Sequence, residues 1–227
     1  MLKRRGTLTE PEVQYFLLQI IDGIKYLHNR QIIHRDLKLA NILLDENLDV
    51  KIADLGLAAE LFDPNERKKT LCGTPNYLAP EIAGKQKGGY SYEVDIWSIG
   101  IITYTLLIGK APFESTTIEE TYKKIREMDY SFPVDGVHIS HQARMFIRSI
   151  LAEKPGDRLT LDQMLEHPFF TDSPLPPPKS LPLSIFKQPY FLSARETSLP
   201  TPIANRTREA PTATPSTTTS RFLNNSK

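Results

Sequence analysis

Eight consecutive residues, His34-Arg35-Asp36-Leu37-Lys38-Leu39-Ala40-Asn41, constrain this chain more than any other stretch. They place a carboxylate, two cations and a carboxamide between two apolar runs, Gln31-Ile32-Ile33 and Ile42-Leu43-Leu44. A polar loop clamped between buried strands holds its side chains rigidly. A second carboxylate follows in Asp54-Leu55-Gly56, just after the strand-like run Val50-Lys51-Ile52-Ala53. If these strands pair, both Asp residues and Asn41 converge on one spot.

Such a set suits phosphoryl transfer. Asp36 can accept the proton of an attacking hydroxyl. Asn41 and Asp54 supply the hard oxygen ligands that a divalent metal needs. Lys38 can offset the negative charge that builds on the transferred group. Each residue taken alone is an ordinary loop charge; the string carries the reading.

That string, His-Arg-Asp-x-Lys-x-x-Asn, is followed by Asp-x-Gly and then by Ala79-Pro80-Glu81. In order and spacing it resembles the signature set of eukaryotic protein kinases. The resemblance runs from near residue 1 to about residue 171 and covers the large lobe. It implies a mainly α fold with a few short β-hairpins, ATP and Mg2+ as cofactors, and protein Ser/Thr side chains as acceptors. In that frame Asp36 and Lys38 are catalytic, Lys38, Asn41 and Asp54 hold the nucleotide, and Asn41 and Asp54 hold the metal.

Further roles follow from the same resemblance. Residues 57–78 correspond to the activation loop, and Thr70, after three cations, to its phosphorylation site. A phosphate there adds about −1.5 to −2 charge and can pair with Arg35; an upstream activating kinase is then a partner. Gly73-Thr74-Pro75-x-Tyr77-x-Ala79-Pro80-Glu81 resembles the substrate-docking segment of serine/threonine kinases, with Thr74 near Asp36 and Lys38. Glu81 is expected to pair with Arg158, buried and structural. Asp95, opening Asp95-Ile96-Trp97-Ser98-Ile99-Gly100, is expected to anchor the catalytic loop from below. Leu55 stands where Phe is usual, and an apolar core position is expected for it.

Glu66 to Glu81, Tyr92 to Gly100 and Tyr104 to Lys110 are most similar to Polo-like kinases. Cell-cycle function and a location at the centrosome or spindle are implied by that similarity alone. The Gly-rich loop, the strand Lys and the helix Glu of the small lobe do not occur in these 227 residues. Two readings follow: the catalytic lobe of a kinase, inactive as this chain alone, or a non-catalytic module that binds substrates or partners. Apolar surface that would meet the small lobe is expected to be exposed.

The remaining sequence is consistent with one domain and a tail. Thr9 and Glu12 form a capping box, with Glu10 and Pro11 in the first turn. Val13, Phe16, Leu17, Ile20, Ile21, Ile24 and Leu27 then make one face of a helix to about Asn29. Short strands surround the loop between Ile32 and Asp54, with Leu48, Val50 and Ile52 alternating against Asp49 and Lys51 and a turn at Asp45-Glu46-Asn47. Ile96 to Ile108 reads as a buried helix, too short to span a bilayer. Ile118 to Met128, His141 to Leu151 and Leu161 to His167 read as three more.

Residues 172–227 carry ten of the 18 prolines and Ser/Thr clusters such as Thr212 to Ser220. That composition predicts a disordered tail or linker. Ile185-Phe186 and Tyr190-Phe191-Leu192 are candidate patches for docking onto the lobe or a partner, although a lone apolar patch in a linker is more often incidental. Asn205-Arg206-Thr207 is a glycosylation pattern, expected to be silent. The tail has seven Lys/Arg against three Asp/Glu, the body 21 against 24, and neither forms a basic stripe. This argues against nucleic acid as the partner. No apolar stretch of signal-peptide length follows Met1-Leu2-Lys3-Arg4-Arg5 before Glu10, and the single cysteine, Cys72, fits a reducing setting, so an intracellular location such as cytoplasm or nucleus is expected.

Overall fold

The computed structural model describes residues 1–63, 65–84, 88–133, 139–172, 178–187 and 189. A short helix α1 (Leu2–Arg5) leads into the long helix α2 (Glu10–His28). Thr9 and Glu12 form the capping box: Thr9 N–H donates to Glu12 Oε2 at 2.8 Å. The seven apolar residues of the periodic stripe are all buried. Burying each such side chain contributes about 1.5–3 kcal/mol.

The central helix α4 (Glu93–Ile108) lies against α2, and every residue from Val94 to Ile108 is buried. It ends at Gly109, whose φ of 89° is left-handed backbone that glycine adopts freely. Trp97 stacks on Phe113 at 5.6 Å between ring centroids. Gly100 lets α4 approach helix α6 (His141–Ile150) closely; a Cβ there would lie 2.7 Å from Leu151 Cδ2 and 2.8 Å from Ile150 Cγ2. Helices α3 (Pro80–Ala83), α5 (Ile118–Glu127), α7 (Leu161–Leu165) and α8 (Pro168–Thr171) complete the body. The chain turns between α7 and α8 because Pro168 has no N–H to continue a helix; His167 caps the second piece, its ring Nδ1 accepting from Phe169 N–H at 3.0 Å.

Among the described residues, four short strands form two antiparallel pairs, each in contact with α2. β2 (Ile42–Leu44) pairs antiparallel with β3 (Val50–Ile52) in the register Ile42↔Ile52, Leu43↔Lys51 and Leu44↔Val50. β1 (Ile32–Ile33) pairs with β4 (Ala59–Glu60), a pairing the sequence pattern does not reveal. Three expectations need correction. Leu48 is buried but lies in the turn, at φ 67°, not in the strand. Its burial comes from the Asp45 carboxylate folding the turn, with Asn47 and Asp49 N–H groups both donating to Oδ1. Leu43 is 53% exposed, so β2 is not a buried strand.

The third correction concerns residues 178–187, which fall in the expected tail. Leu181 and Ile185 are buried, and the Ile185 carbonyl accepts from Arg5 Nη1 at 3.0 Å. Arg5 is itself locked bidentate on buried Glu12, at 2.7 and 2.8 Å. Burial of two apolar side chains and a charge-assisted bond offset the ordering of this segment. Tyr190-Phe191-Leu192 and the Ser/Thr-rich stretches lie outside the described residues. Among the described residues no helix is long and apolar enough to cross a membrane.

Candidate active site

The loop after β1 is built downward onto α4. Asp95, in the first turn of α4, accepts from His34 N–H at 2.8 Å and Arg35 N–H at 2.9 Å, one on each carboxylate oxygen. His28, at the end of α2, meets the same carboxylate through Nε2 at 2.9 Å. Arg35 has φ 68°, so the chain reverses there. The buried His34 ring then spans the site: Nδ1 accepts from Asp36 N–H at 3.4 Å, and Nε2 meets the Ala53 carbonyl at 3.2 Å.

Asp36 is buried, and both its oxygens are engaged. Lys38 Nζ donates to Oδ2 at 2.5 Å, and Thr74 Oγ1 donates to Oδ1 at 2.7 Å. Lys38 also donates to Thr74 Oγ1 at 3.0 Å, closing a triangle. Burial pushes the Asp36 carboxyl up, but the hydrogen bonds and charge of Lys38 and the hydroxyl of Thr74 outweigh it and hold its pKa below the ordinary 3.8. It is therefore a carboxylate at neutral pH.

The hairpin positions the other two oxygen-bearing side chains, Asn41 and Asp54. Asn41 Nδ2 donates to the Asp36 carbonyl at 2.9 Å, which ties the amide to the loop and leaves its oxygen as the atom that could meet a metal. The Asn41 carbonyl accepts from Ala53 N–H at 2.9 Å, extending the β2–β3 ladder to the residue before Asp54. Asp54 is exposed, at φ 64°, and Oδ1 accepts from Gly56 N–H at 3.2 Å. Two hard oxygen groups fit Mg2+, which keeps several positions of its octahedron for water and phosphate oxygens.

Other expected residues fall around this centre. Glu81 and Arg158 form a bidentate pair at 2.8 and 2.7 Å, fully buried, beneath the docking segment. Thr70 is exposed and does not touch Arg35 directly. Arg35 Nε donates to the Leu57 carbonyl at 2.5 Å, and Nη1 to the Tyr90 hydroxyl at 3.3 Å. Leu55 is 52% exposed, which corrects its expected core position: none of the described residues packs over it. Leu57, at 39%, is exposed beside it.

Sequence reasoning missed two participants. Tyr90 joins Arg35 to the loop around Thr70, and a lone Tyr between Gly89 and Ser91 gave no signal. Leu43 presents an apolar face two residues from Asn41; its alternation was hidden because its neighbours are apolar too.

A family model described as protein kinase domain matches residues 1–170. The probable serine/threonine-protein kinase CCRP1 of Zea mays is 50% identical over 189 residues, 83% of this chain and 30% of that protein. Serine/threonine-protein kinase PLK1 of Xenopus laevis is 51% identical over 174 residues, 77% of this chain and 28% of that protein. The cell cycle serine/threonine-protein kinase CDC5/MSD2 of Saccharomyces cerevisiae is 47% identical over 188 residues, 83% of this chain and 26% of that protein. The chain thus spans about a third or less of the length of these relatives.

Proposed function

Because this chain belongs to the protein kinase domain family, we propose that it is the large-lobe part of an ATP-dependent serine/threonine kinase of the Polo-like kind, with residues 1–171 as the lobe and a linker after it. The supporting observation is the Asp36–Lys38–Thr74 triangle, held beside Asn41 and the turn at Asp54.

In this reading Asn41 and Asp54 would hold Mg2+, which would supply neutralising charge to the nucleotide phosphates. Leu43 offers an apolar floor for the base. Lys38 sits where negative charge grows on the transferred phosphoryl group. Asp36, already ionised, orients the Ser/Thr hydroxyl of a protein substrate and takes its proton as the new P–O bond forms and the bond from the γ-phosphorus to the bridging oxygen breaks, with ADP leaving. Thr74 fixes the carboxylate against the docking segment, so substrate placement and proton acceptance are set by one hydrogen-bonded unit. Asp95 supports the loop, the Glu81–Arg158 pair supports the docking segment, and Thr70 is the regulatory phosphosite whose phosphate pairs with Arg35.

Roles in the cell cycle, at the centrosome or spindle, and an upstream activating kinase rest on similarity to the Polo-like relatives. The test is a phosphotransfer assay with Mg2+, ATP and a Ser/Thr peptide, run on residues 1–227 and on the full-length protein containing them. Transfer by the full-length protein, lost in Asp36→Asn, is the expected result. Tight peptide binding without transfer by either would favour a non-catalytic interaction module instead.

A further inference from the structure

Tyr90 is not accounted for by the transfer chemistry, yet it is laced to the loop around Thr70 at four points. Its backbone N–H and C=O pair with the Lys68 carbonyl and N–H, both at 2.9 Å. Its hydroxyl donates to the Thr70 carbonyl at 2.8 Å and accepts from Arg35 Nη1 at 3.3 Å. Cys72 Sγ lies 3.5 Å from the same oxygen. Gly89 permits the approach: its φ is +72°, and a Cβ there would sit 2.7 Å from the Lys68 carbonyl. Tyr90 itself is 3% exposed.

Arg35 is the residue immediately before Asp36, and its backbone hangs from Asp95. One end of its guanidinium is fixed on the Leu57 carbonyl; the two Nη groups make longer contacts, at 3.3 Å to Tyr90 and 3.5 Å to the Ala58 carbonyl. The Tyr90 hydroxyl is therefore the one group, among the described residues, that bonds both to Arg35 and to the Thr70 segment. Burial, and after it the neighbouring Cys72, push its pKa up to about 12, so it stays a neutral donor.

We infer that Tyr90 is a positioning residue: its hydroxyl ties the Thr70 segment to Arg35, and so to the Asp36 loop, in place of the ion pair that an anion on residue 70 would form. The inference rests on the kinase reading of Asp36. It implies that an anion at position 70 and the Tyr90 hydroxyl are partly interchangeable partners of one guanidinium.

The test is a double-mutant cycle in the full-length protein, with Tyr90→Phe and Thr70→Glu, because Phe keeps the buried ring and removes only the oxygen. Tyr90→Phe should lower kcat about five- to tenfold, as expected when the hydroxyl's bonds to both Thr70 and Arg35 are lost, with the KM for ATP within about twofold. In the Thr70→Glu background, where a carboxylate can hold Arg35, the same change should cost less than about twofold. Equal losses in both backgrounds, or a parallel rise in the KM for ATP, would overturn the inference and leave Tyr90 a packing residue. Amide hydrogen exchange is measured on the same proteins. The 68–72 amides should exchange about tenfold faster in Tyr90→Phe, while α4 amides are unchanged. If the wild-type protein transfers no phosphate, the kinase reading falls, and the exchange result alone decides whether the tie exists; unchanged 68–72 exchange would refute it.

Discussion

Arg158 holds Glu81 through both terminal guanidinium nitrogens, and neither side chain reaches solvent. The same guanidinium also donates to the Glu93, Ala152 and Glu153 carbonyls and lies 5.0 Å from the Trp97 ring. One cation thus stitches the docking segment, the start of α4 and the loop after α6. Removing either charge leaves the other buried and unpaired. Arg158→Ala or Glu81→Ala should cost about 3–5 kcal/mol, and Arg158→Lys should recover only part, since an ammonium cannot fill a planar fork. Urea denaturation followed by Trp97 fluorescence measures it.

The two carboxylates should separate kinetically. Asp36→Asn keeps the shape but cannot take a proton, and should lower kcat by about 10²–10⁴-fold with nucleotide affinity nearly intact. Asp54→Asn should instead weaken Mg2+–nucleotide binding by about 10–100-fold. Titration with a fluorescent ATP analogue distinguishes them. Equal loss of affinity in both variants would show the assignments to be wrong.

Asp36 has a depressed pKa when folded, so its contribution to stability is present above the unfolded Asp value and is lost as pH falls through the lower folded value. Removing either donor should raise that pKa. The Lys38 bond and charge lower it more than the Thr74 hydroxyl does, so Lys38→Met should shift it further than Thr74→Val. Carboxyl-carbon NMR across acid pH reads both shifts; a fall in either variant would contradict the charge arrangement.

Gly100 marks the closest approach of α4 and α6. In Gly100→Ala the new methyl group meets Leu151 and Ile150 side chains at 2.7–2.8 Å, inside van der Waals contact. Overpacking of this kind should cost about 1–3 kcal/mol, despite the better helix propensity of Ala. A rise in melting temperature would mean that the two side chains swing away without penalty.

The parts of the fold with strong local periodicity were legible in the sequence. The α2 stripe, its capping box and the buried α4 need only residues three or four apart. The loop residues were legible because His34 to Asn41 gathers its chemistry within one short string. What escaped depends on distant partners. Ile185 stood out only as half of an apolar pair in a proline-rich stretch; that Arg5, 180 positions away, holds it is stated by no local pattern. The exposure of Leu55 depends on what lies above it, which no local pattern states. The pairing of β1 with β4 involves two residues on each side, too few to alternate.

Asp95 gives the site an unusual dependence on the deepest part of the protein. One carboxylate on the most enclosed helix sets the direction in which the reactive strip leaves β1. Heat or denaturant that disrupts α4 therefore releases that strip as well. Loss of phosphate transfer and collapse of tertiary structure should coincide in a single transition, with no plateau of folded but misaligned molecules between them.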